Sequence, residues 1–539
     1  MTAKQVLFES EAREKILHGA ERLADAVRIT LGPKSKSVVI QKRVGAPVVC
    51  NDGVTIAKEM EFEDPEEKLG AQILRQAAEL TGDAIGDGTS TSTVLAHAIL
   101  TEGVRRISAG ASAVDLKRGL ERGLGVAKEA LKSLARPVRT RQEKAQVATI
   151  SAHNDPAIGE LVADALERLG SDGAITVEES KASEASLEIV EGMRFNRGYI
   201  SPHFVADTAR VEMVLEDTLV FVTERKLNLI KDLTPLLDVV AKSGRPILFI
   251  ADEIQGEALA TLTGNHNRGM LTTCAVRAPD MGDQRKAMLQ DIAIFTGAQL
   301  FSEDAGAALE HVRLGQLGRA RRAIVDENST TLIGGGGDPA SIAGRVVQLR
   351  TEIQRATSDF EREKLQKRLT QLSGNVAVLR AGATFEGEMK ARREALNDAI
   401  GSTKAAIAEG IVPGGGLALI KLADALAAEE RATGGDERMG FSILRRALEA
   451  PARQIAENSA ADGGVAIDRV RAAGGNIGFD AATQRYVDLF EAGIVDPAKV
   501  VRIALENAVA AAGILLLTDA AMTEKARKVD NTEKRDPEL

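Results

Sequence analysis

The run Gly86-Asp87-Gly88-Thr89-Ser90-Thr91-Ser92-Thr93 decides how the rest of the sequence is read. It lies between two segments whose apolar residues recur at helical spacing, so its glycines fall where one helix ends and another begins. Glycine lets a backbone approach a ligand closely, a helix start offers unpaired N–H groups, and the hydroxyls of this run add contacts to phosphate or an ion. Asp87 suits Mg²⁺, which takes one or two carboxylates together with phosphate oxygens. An ordinary helix N-cap fits the same residues, and spacing alone favours the phosphate site only slightly.

Working outward, Pro65 suits a first helical turn, and Leu69, Ile73, Ala77 and Leu80 follow it at helical spacing. The first 130 residues read as helices punctuated by Gly-rich turns. Two of those turns, Thr30-Leu31-Gly32-Pro33 and Asn51-Asp52-Gly53, are weak signals taken singly. Gly414-Gly415-Gly416 follows a helical run containing Asp398 and permits close backbone approach, although a flexible linker reads the same way. From about residue 215 short β-prone runs (219–222, 247–250, 271–276, 323–325) alternate with helical segments, the pattern of an α/β domain. Residues 339–356 and 359–372 read as a helical hairpin, with Glu363 and Lys367 four apart in the favourable order. Helix-like sequence then runs nearly to the end, and the charged stretch 523–539 is expected to fray.

Composition limits the possible functions. A chain of 539 residues exceeds one compact core, so two or three domains are expected. Hydrophobic residues make up 44% and aromatic residues 3%, with no Trp, so the cores must be built from Ala, Val, Ile and Leu, which argues against an all-β sandwich. A net charge of −9 argues against a nucleic-acid partner. Cys50 and Cys274 form no CxxC pair, so neither a disulfide scaffold nor a zinc knuckle is readable. The N-terminus leads into helix-like sequence without a signal or transit pattern, and a cytoplasmic location is expected. The longest apolar stretch, residues 508–517, is shorter than the roughly 20 residues that span a bilayer, and reads as a buried core helix rather than a membrane segment. P-loop, Rossmann and HExxH signatures are absent, and the histidines at 18, 97, 153, 203, 266 and 311 show no metal-ligand spacing.

Several runs together resemble group I chaperonins of the GroEL type: residues 25–33, Gly86-Asp87-Gly88-Thr89, Gly192-Met193 through Arg197-Gly198-Tyr199 to Ser201-Pro202, residues 285–289, residues 356–359, and Gly414-Gly415-Gly416. The match extends in order from residue 2 to about residue 523. The resemblance implies a multidomain α+β fold. Its mainly helical equatorial ATP domain comes from 1–134 and 411–523, an intermediate hinge domain from 135–190 and 377–410, and an α/β apical domain from 191–376, with 524–539 as a charged tail.

It further implies an ATPase using ATP, Mg²⁺ and K⁺. Thr30, Leu31, Gly32 and Pro33 with Gly88, Thr89, Ser90 and Thr91 would cradle the phosphates, and Asp87 would ligate the metal. Gly415 and Asp496 would bind the nucleoside end. Asp398 would act as the base once the intermediate domain closes, with Asp52 assisting. The partners it implies are unfolded client proteins, a GroES-type co-chaperonin lid and further copies of the chain in two stacked rings of about seven subunits.

The client- and lid-binding rim implied by the resemblance comprises Tyr199, His203, Phe204, Thr234, Leu237, Leu259, Thr263 and Gly264. His203, Thr234, Thr263 and Gly264 stand where the family usually has an aromatic or aliphatic residue. Each lost aliphatic contact would cost about 1 kcal/mol or more unless neighbours compensate. The resemblance further implies two broken charge pairs, Asp83 facing Glu327 and Asp155 facing Ala395, and an intact pair between subunits, Arg197 with Glu386. A general foldase is therefore expected, and the alternative is a specialised ring-forming paralogue with a narrow client set or a scaffold role.

Overall fold

A computed structural model describes residues 4–42, 47–170, 173–180, 184–205, 212–302, 309, 312–356, 358–383 and 385–524. The tail beyond residue 524, Thr357, His311 and the side chain of Glu386 lie outside the described residues. The chain divides into two compact units, the first formed by Met1–Glu167, Val177–Ser186 and Arg380–Leu539, the second by Arg168–Thr176 and Leu187–Leu379. The second unit is thus an insertion between the two halves of the first.

The first unit is an Ala-rich helical body. Helices Glu9–Arg28, Pro65–Ile85, Thr89–Ser108, Ala113–Leu134, Leu417–Ala432, Gly435–Ala447 and Ala498–Leu516 enclose one core. Small residues set how closely these helices approach. A Cβ on Gly70 would stand 2.0 Å from the Ile16 carbonyl oxygen, and one on Gly19 would stand 1.9 Å from that of Glu67, so both sides of this crossing need glycine. The Pro65–Ile85 helix begins where Asp64 accepts hydrogen bonds from the Glu66 and Glu67 amides at 3.0 and 3.1 Å, with Pro65 in the first turn. Its buried stripe runs through Gly70, Ala71, Leu74, Ala77, Ala78 and Thr81. Leu80 is 59% exposed, because it lies off the face on which Leu74, Ala77, Ala78 and Thr81 are buried.

Residues 508–517 do lie in a buried helix, although Ile514 and Leu517 are exposed. No described helix is long and apolar enough to cross a membrane. The described N-terminal residues depart from the expectation of helix, and of the stretch 523–539 expected to fray only Thr523 and Glu524, which lie in a strand, are among the described residues. Lys4–Phe8 is a strand, paired antiparallel with Ala520–Glu524, with Lys4 opposite Glu524 and Phe8 opposite Ala520. Val38–Ile40 and Val48–Cys50 form a second two-stranded sheet.

His97, on the Thr89–Ser108 helix, is held down at about 4 by burial, with the Arg28 guanidinium adding to the shift and Asp25 opposing it. The unfolded chain protonates this imidazole near pH 6.5, whereas the folded chain resists until about 4. Stability from this group is therefore present above pH 6.5 and lost as pH falls towards 4, by roughly 2 kcal/mol between pH 7 and pH 5. Chemical denaturation at the two pH values should show that loss, and His97→Leu should reduce it.

The second unit is α/β. Its sheet runs in the order Thr273–Arg277, Ile247–Ala251, Met213–Thr223, Gly318–Val325, Thr330–Gly335, Ser186–Phe195, then Asn375–Gly382 and Ala174–Ser180, the two strands in which the chain passes between units. The first three are parallel to one another and the next three alternate. Short helical connections over a parallel edge explain the texture seen from residue 215, but the Ser186–Phe195 strand precedes it. The rings concentrate here: Phe195, Phe204, Phe221, Phe249 and Phe301 are fully buried in this unit, so the expectation of purely aliphatic cores holds better for the first unit.

Helices Pro339–Arg355 and Asp359–Leu372 form the expected pair. They are fastened to helix Asp283–Thr296 through Asp291, which is 1% exposed and accepts from Arg345 Nε and Arg368 Nε, both at 2.8 Å.

Candidate functional site

In the first unit nine segments far apart in sequence line one cleft of about 630 Å³. The first is the turn after helix Glu9–Arg28. Asn458 donates from Nδ2 to the carbonyls of Arg28 and Leu31 at 2.9 and 2.8 Å, which holds the turn in place. Thr30, Gly32 and Pro33 line the cleft; Leu31 does not. The Thr30 and Ser90 hydroxyls lie 2.9 Å apart, joining this turn to the central run.

Gly86 ends the Pro65–Ile85 helix at φ 88° and Gly88 starts the Thr89–Ser108 helix at φ 83°. Both conformations are left-handed and favour glycine. Between them Asp87 is displayed at the end of one helix and the N-terminus of another, where first-turn amides and the helix dipole favour an anion. Its carboxylate is oriented by the Gly88 amide on Oδ1 and by the hydroxyls of Ser151 and Ser402 on Oδ2. Ser402 follows Asp398 by one turn of helix Glu386–Glu409, so Asp398 lines the cleft while Ser402 reaches Asp87 from the same face. That i, i+4 spacing was a usable signal for Ser402; nothing in the sequence marked Ser151 or Asn458.

Asp52 caps the short Gly53–Glu59 helix, accepting from the Val54 and Thr55 amides at 3.3 and 2.8 Å, and lines the cleft. A Cβ on Gly53 would stand 2.5 Å from Ser90 Oγ, so the two loops touch backbone to side chain. At the far side, strand Ile411–Pro413 pairs with Val495–Pro497, which brings the glycine run beside Asp496. Gly415 and Gly416 take φ 58° and 78°, and Gly416 opens helix Leu417–Ala432. Phe479, Ala481 and Ile494 add apolar wall near Gly415, residues that sequence reading missed because they sit in hairpins rather than in a glycine motif.

The cleft is strongly acidic. Burial, followed by the charges of Asp87, Asp52 and Glu394, pushes Asp398 well above the usual carboxylate range. Burial, followed by Asp87, lifts Asp496 to about 7. Such a concentration of carboxylates needs a cation before it can receive phosphate. Among the described residues no three His, Cys, Asp or Glu side chains form a metal-holding group of their own. Asp87 beside an anion-favouring helix start fits Mg²⁺ shared with phosphate oxygens, which needs few protein ligands.

The rim residues belong to the second unit. His203 and Thr234 are exposed, and Tyr199, Leu237, Leu259, Thr263 and Gly264 are half-buried. Phe204 corrects the expectation of an accessible rim ring: it is 0% exposed and packs edge-on to His266 at 6.1 Å, in the core under the Pro202–Phe204 turn. The hydroxyls of Thr234 and Thr263 fold back on the carbonyls of Ile230 and Leu259 at 3.0 and 2.9 Å, which satisfies their donors within the second unit. Gly264 does not end its helix, which continues to Asn267. Asp155, the survivor of one broken charge pair, caps helix Pro156–Leu169 through the Ala157 and Ile158 amides.

Residues 23–526 match the family model of the TCP-1/cpn60 chaperonin family. Chaperonin GroEL 5 of Bradyrhizobium diazoefficiens is 64% identical over 524 residues, 97% of each chain. The fold is also that of the chaperonin gp146 from the bacteriophage EL 2 of Pseudomonas aeruginosa, solved in the presence of ATP-BeFx, with a TM-score of 0.67 at 21% identity over 97% of this chain and 99% of that one.

Proposed function

This chain belongs to the TCP-1/cpn60 chaperonin family, and on that premise we propose that it captures non-native proteins and drives their folding with ATP hydrolysed in the cleft of the first unit. It is an ATP-dependent chaperonin of protein folding. The observation that carries the site assignment is the convergence of Thr30, Gly32, Pro33, Asp52, residues 86–91, Asp398, Gly415 and Asp496 on one cleft whose centre is a helix N-terminus beside a carboxylate.

In the proposed reaction the amides and hydroxyls of Gly88 to Thr91 and the Thr30 turn hold the phosphates, and Asp87 holds Mg²⁺. Bound there, Mg²⁺ would supply the positive charge that offsets the surrounding carboxylates and polarises the phosphate. Asp398 positions and deprotonates the attacking water, with Asp52 beside it. Phe479 and Ile494, together with Gly415, offer the base an apolar surface, and Asp496 offers the ribose an acceptor. K⁺ is proposed as a further counter-ion to this acidic cleft.

Assembly into rings of about seven subunits is part of the proposal, and the short sheets, each with an unpaired edge, support association between copies. Phe8, Val39, Val49 and Met522 lie on them and are exposed. The domain division read from the resemblance, a co-chaperonin lid and a cytoplasmic location complete the proposal. Arg197 keeps its assigned pairing with Glu386 of a neighbouring subunit as part of it.

The folding role is favoured over a narrow specialist by the identity of 64% across nearly all of both chains. The rim also has substitutes. Leu229, Ile230 and Met270 are exposed in the same unit, and the Ile230–Asp232 turn packs against helix Gly256–Asn267, which carries Leu259 and Thr263.

The test is the refolded yield of an aggregation-prone enzyme with the assembled protein and ATP, with and without a bacterial co-chaperonin. Yield that requires both turnover and the lid is expected, and Thr234→Leu with Thr263→Leu should change it little. ATP hydrolysis without recovered client, reversed by those two substitutions, would place the protein with the specialists.

A further inference from the structure

Ser402 is fully buried on helix Glu386–Glu409, and its hydroxyl donates across to Asp87 Oδ2 rather than back to its own helix. The next residue, Thr403, shows the ordinary alternative: its hydroxyl folds back on the Ala399 carbonyl at 2.7 Å. The reach of Ser402 is set by its other neighbour. A Cβ on Gly401 would stand 2.1 Å from the Ile85 carbonyl oxygen, so the helix lies against the end of the Pro65–Ile85 helix at a point where only glycine fits, one residue from the serine and two from Asp87. Backbone packing, not side-chain chance, brings the hydroxyl to the carboxylate.

Ser151, the last residue of helix Arg141–Ser151, donates to the same oxygen at 2.6 Å, and the Gly88 amide donates to Oδ1. An ionised carboxylate has about four lone-pair sites, shared equally between its oxygens. The two hydroxyls therefore fill those of Oδ2, and the amide takes one of Oδ1. A cation that approaches Asp87 with this frame in place meets one available oxygen, where a bare aspartate offers both. Divalent cations use that choice differently. Mg²⁺ is small and octahedral and is served by few carboxylate contacts together with water and phosphate, whereas Ca²⁺ gathers about six to eight oxygens and gains from a bidentate carboxylate.

We propose that Ser402 is a positioning residue that sets cation choice at this site: with Ser151 it denies Asp87 Oδ2 to the metal, leaves a single-oxygen ligand, and so favours Mg²⁺ over Ca²⁺. The inference rests on the nucleotide reading of the cleft given above. It gives helix Glu386–Glu409 two tasks, since Asp398, one turn before Ser402, lines the same cleft.

The test is equilibrium binding of a fluorescent ATP analogue to the full assembled chain, titrated with Mg²⁺ or with Ca²⁺, with binding in EDTA as the baseline. In the native chain both metals should strengthen binding, Mg²⁺ the more. Ser402→Ala should raise the ratio of Ca²⁺ to Mg²⁺ apparent affinity about tenfold. Ser151→Ala frees the same oxygen from a different helix and should move the ratio in the same direction, so the result does not hang on one variant. A relative gain for Ca²⁺ is a change that a loosened cleft does not produce. An unchanged ratio in both alanine variants overturns the proposal, as does an equal loss for both metals, which would make Ser402 a structural support only. The native chain reports the nucleotide reading separately: binding that neither metal strengthens would sink that reading, and this proposal with it.

Discussion

Asp398→Ala is expected to slow ATP hydrolysis by about 10²- to 10⁴-fold while nucleotide affinity stays level or rises. The two effects separate because Asp398 is not among the groups that cradle phosphate. It shares the cleft with Asp87 and Asp52, which already raise its proton affinity. Removing a carboxylate from that cluster reduces repulsion of a polyanion and takes away the base. Single-turnover hydrolysis and equilibrium binding of a fluorescent nucleotide measure the two separately. A parallel loss of affinity would make Asp398 a structural support of the cleft, and an unchanged rate would remove it from the reaction. Asp398→Asn should resemble Asp398→Ala in rate, because it keeps the shape but cannot take a proton.

Asp291→Ala is expected to destabilise the second unit by about 3–5 kcal/mol. The residue is 1% exposed and is the shared acceptor of Arg345 and Arg368, whose side chains are 9% and 11% exposed. Its loss leaves two nearly buried guanidinium groups facing each other without a counter-charge. The helical pair 339–355 and 359–372 should then detach from helix 283–296, and hydrogen exchange should accelerate in those three segments first. Replacing all three by apolar residues of similar volume should recover most of the loss, since an ion triad of this kind offsets its own desolvation and adds little beyond that. An exchange pattern unchanged in Asp291→Ala would show that apolar packing alone holds the pair.

The run at 86–93 was readable because its chemistry is local. A glycine with positive φ, a half-buried carboxylate and a helix start all fall within a few residues, and the structure puts them in that order. The turns at 30–33 and 51–53 and the glycines at 414–416 carried no such redundancy, and only the resemblance joined them. What joins them physically is long-range: Asn458 on the 28–31 turn, Ser402 on Asp87, and strand 495–497 beside 411–413. No periodicity of one segment encodes those contacts. Leu80 and Phe204 misled in opposite directions. Size and hydrophobicity predict burial for the first and the family pattern predicts access for the second, but the one lies off its helix's buried face and a ring-lined core absorbs the other. The terminal strand was missed because five residues reading KQVLF become a strand only when AAMTE arrives to pair with them.

That pairing has a consequence for synthesis. A ribosome that has completed residue 167 must add roughly 350 more before Ala520–Glu524 emerges, an interval of about 20–70 s at 5–20 residues per second. Throughout it the Pro65–Ile85 and Thr89–Ser108 helices lack Ala498–Leu516, against which both pack. The inserted unit meanwhile emerges whole and can fold first. The nascent N-terminal half therefore stays an unfinished apolar surface until the last long helix of the chain has been made.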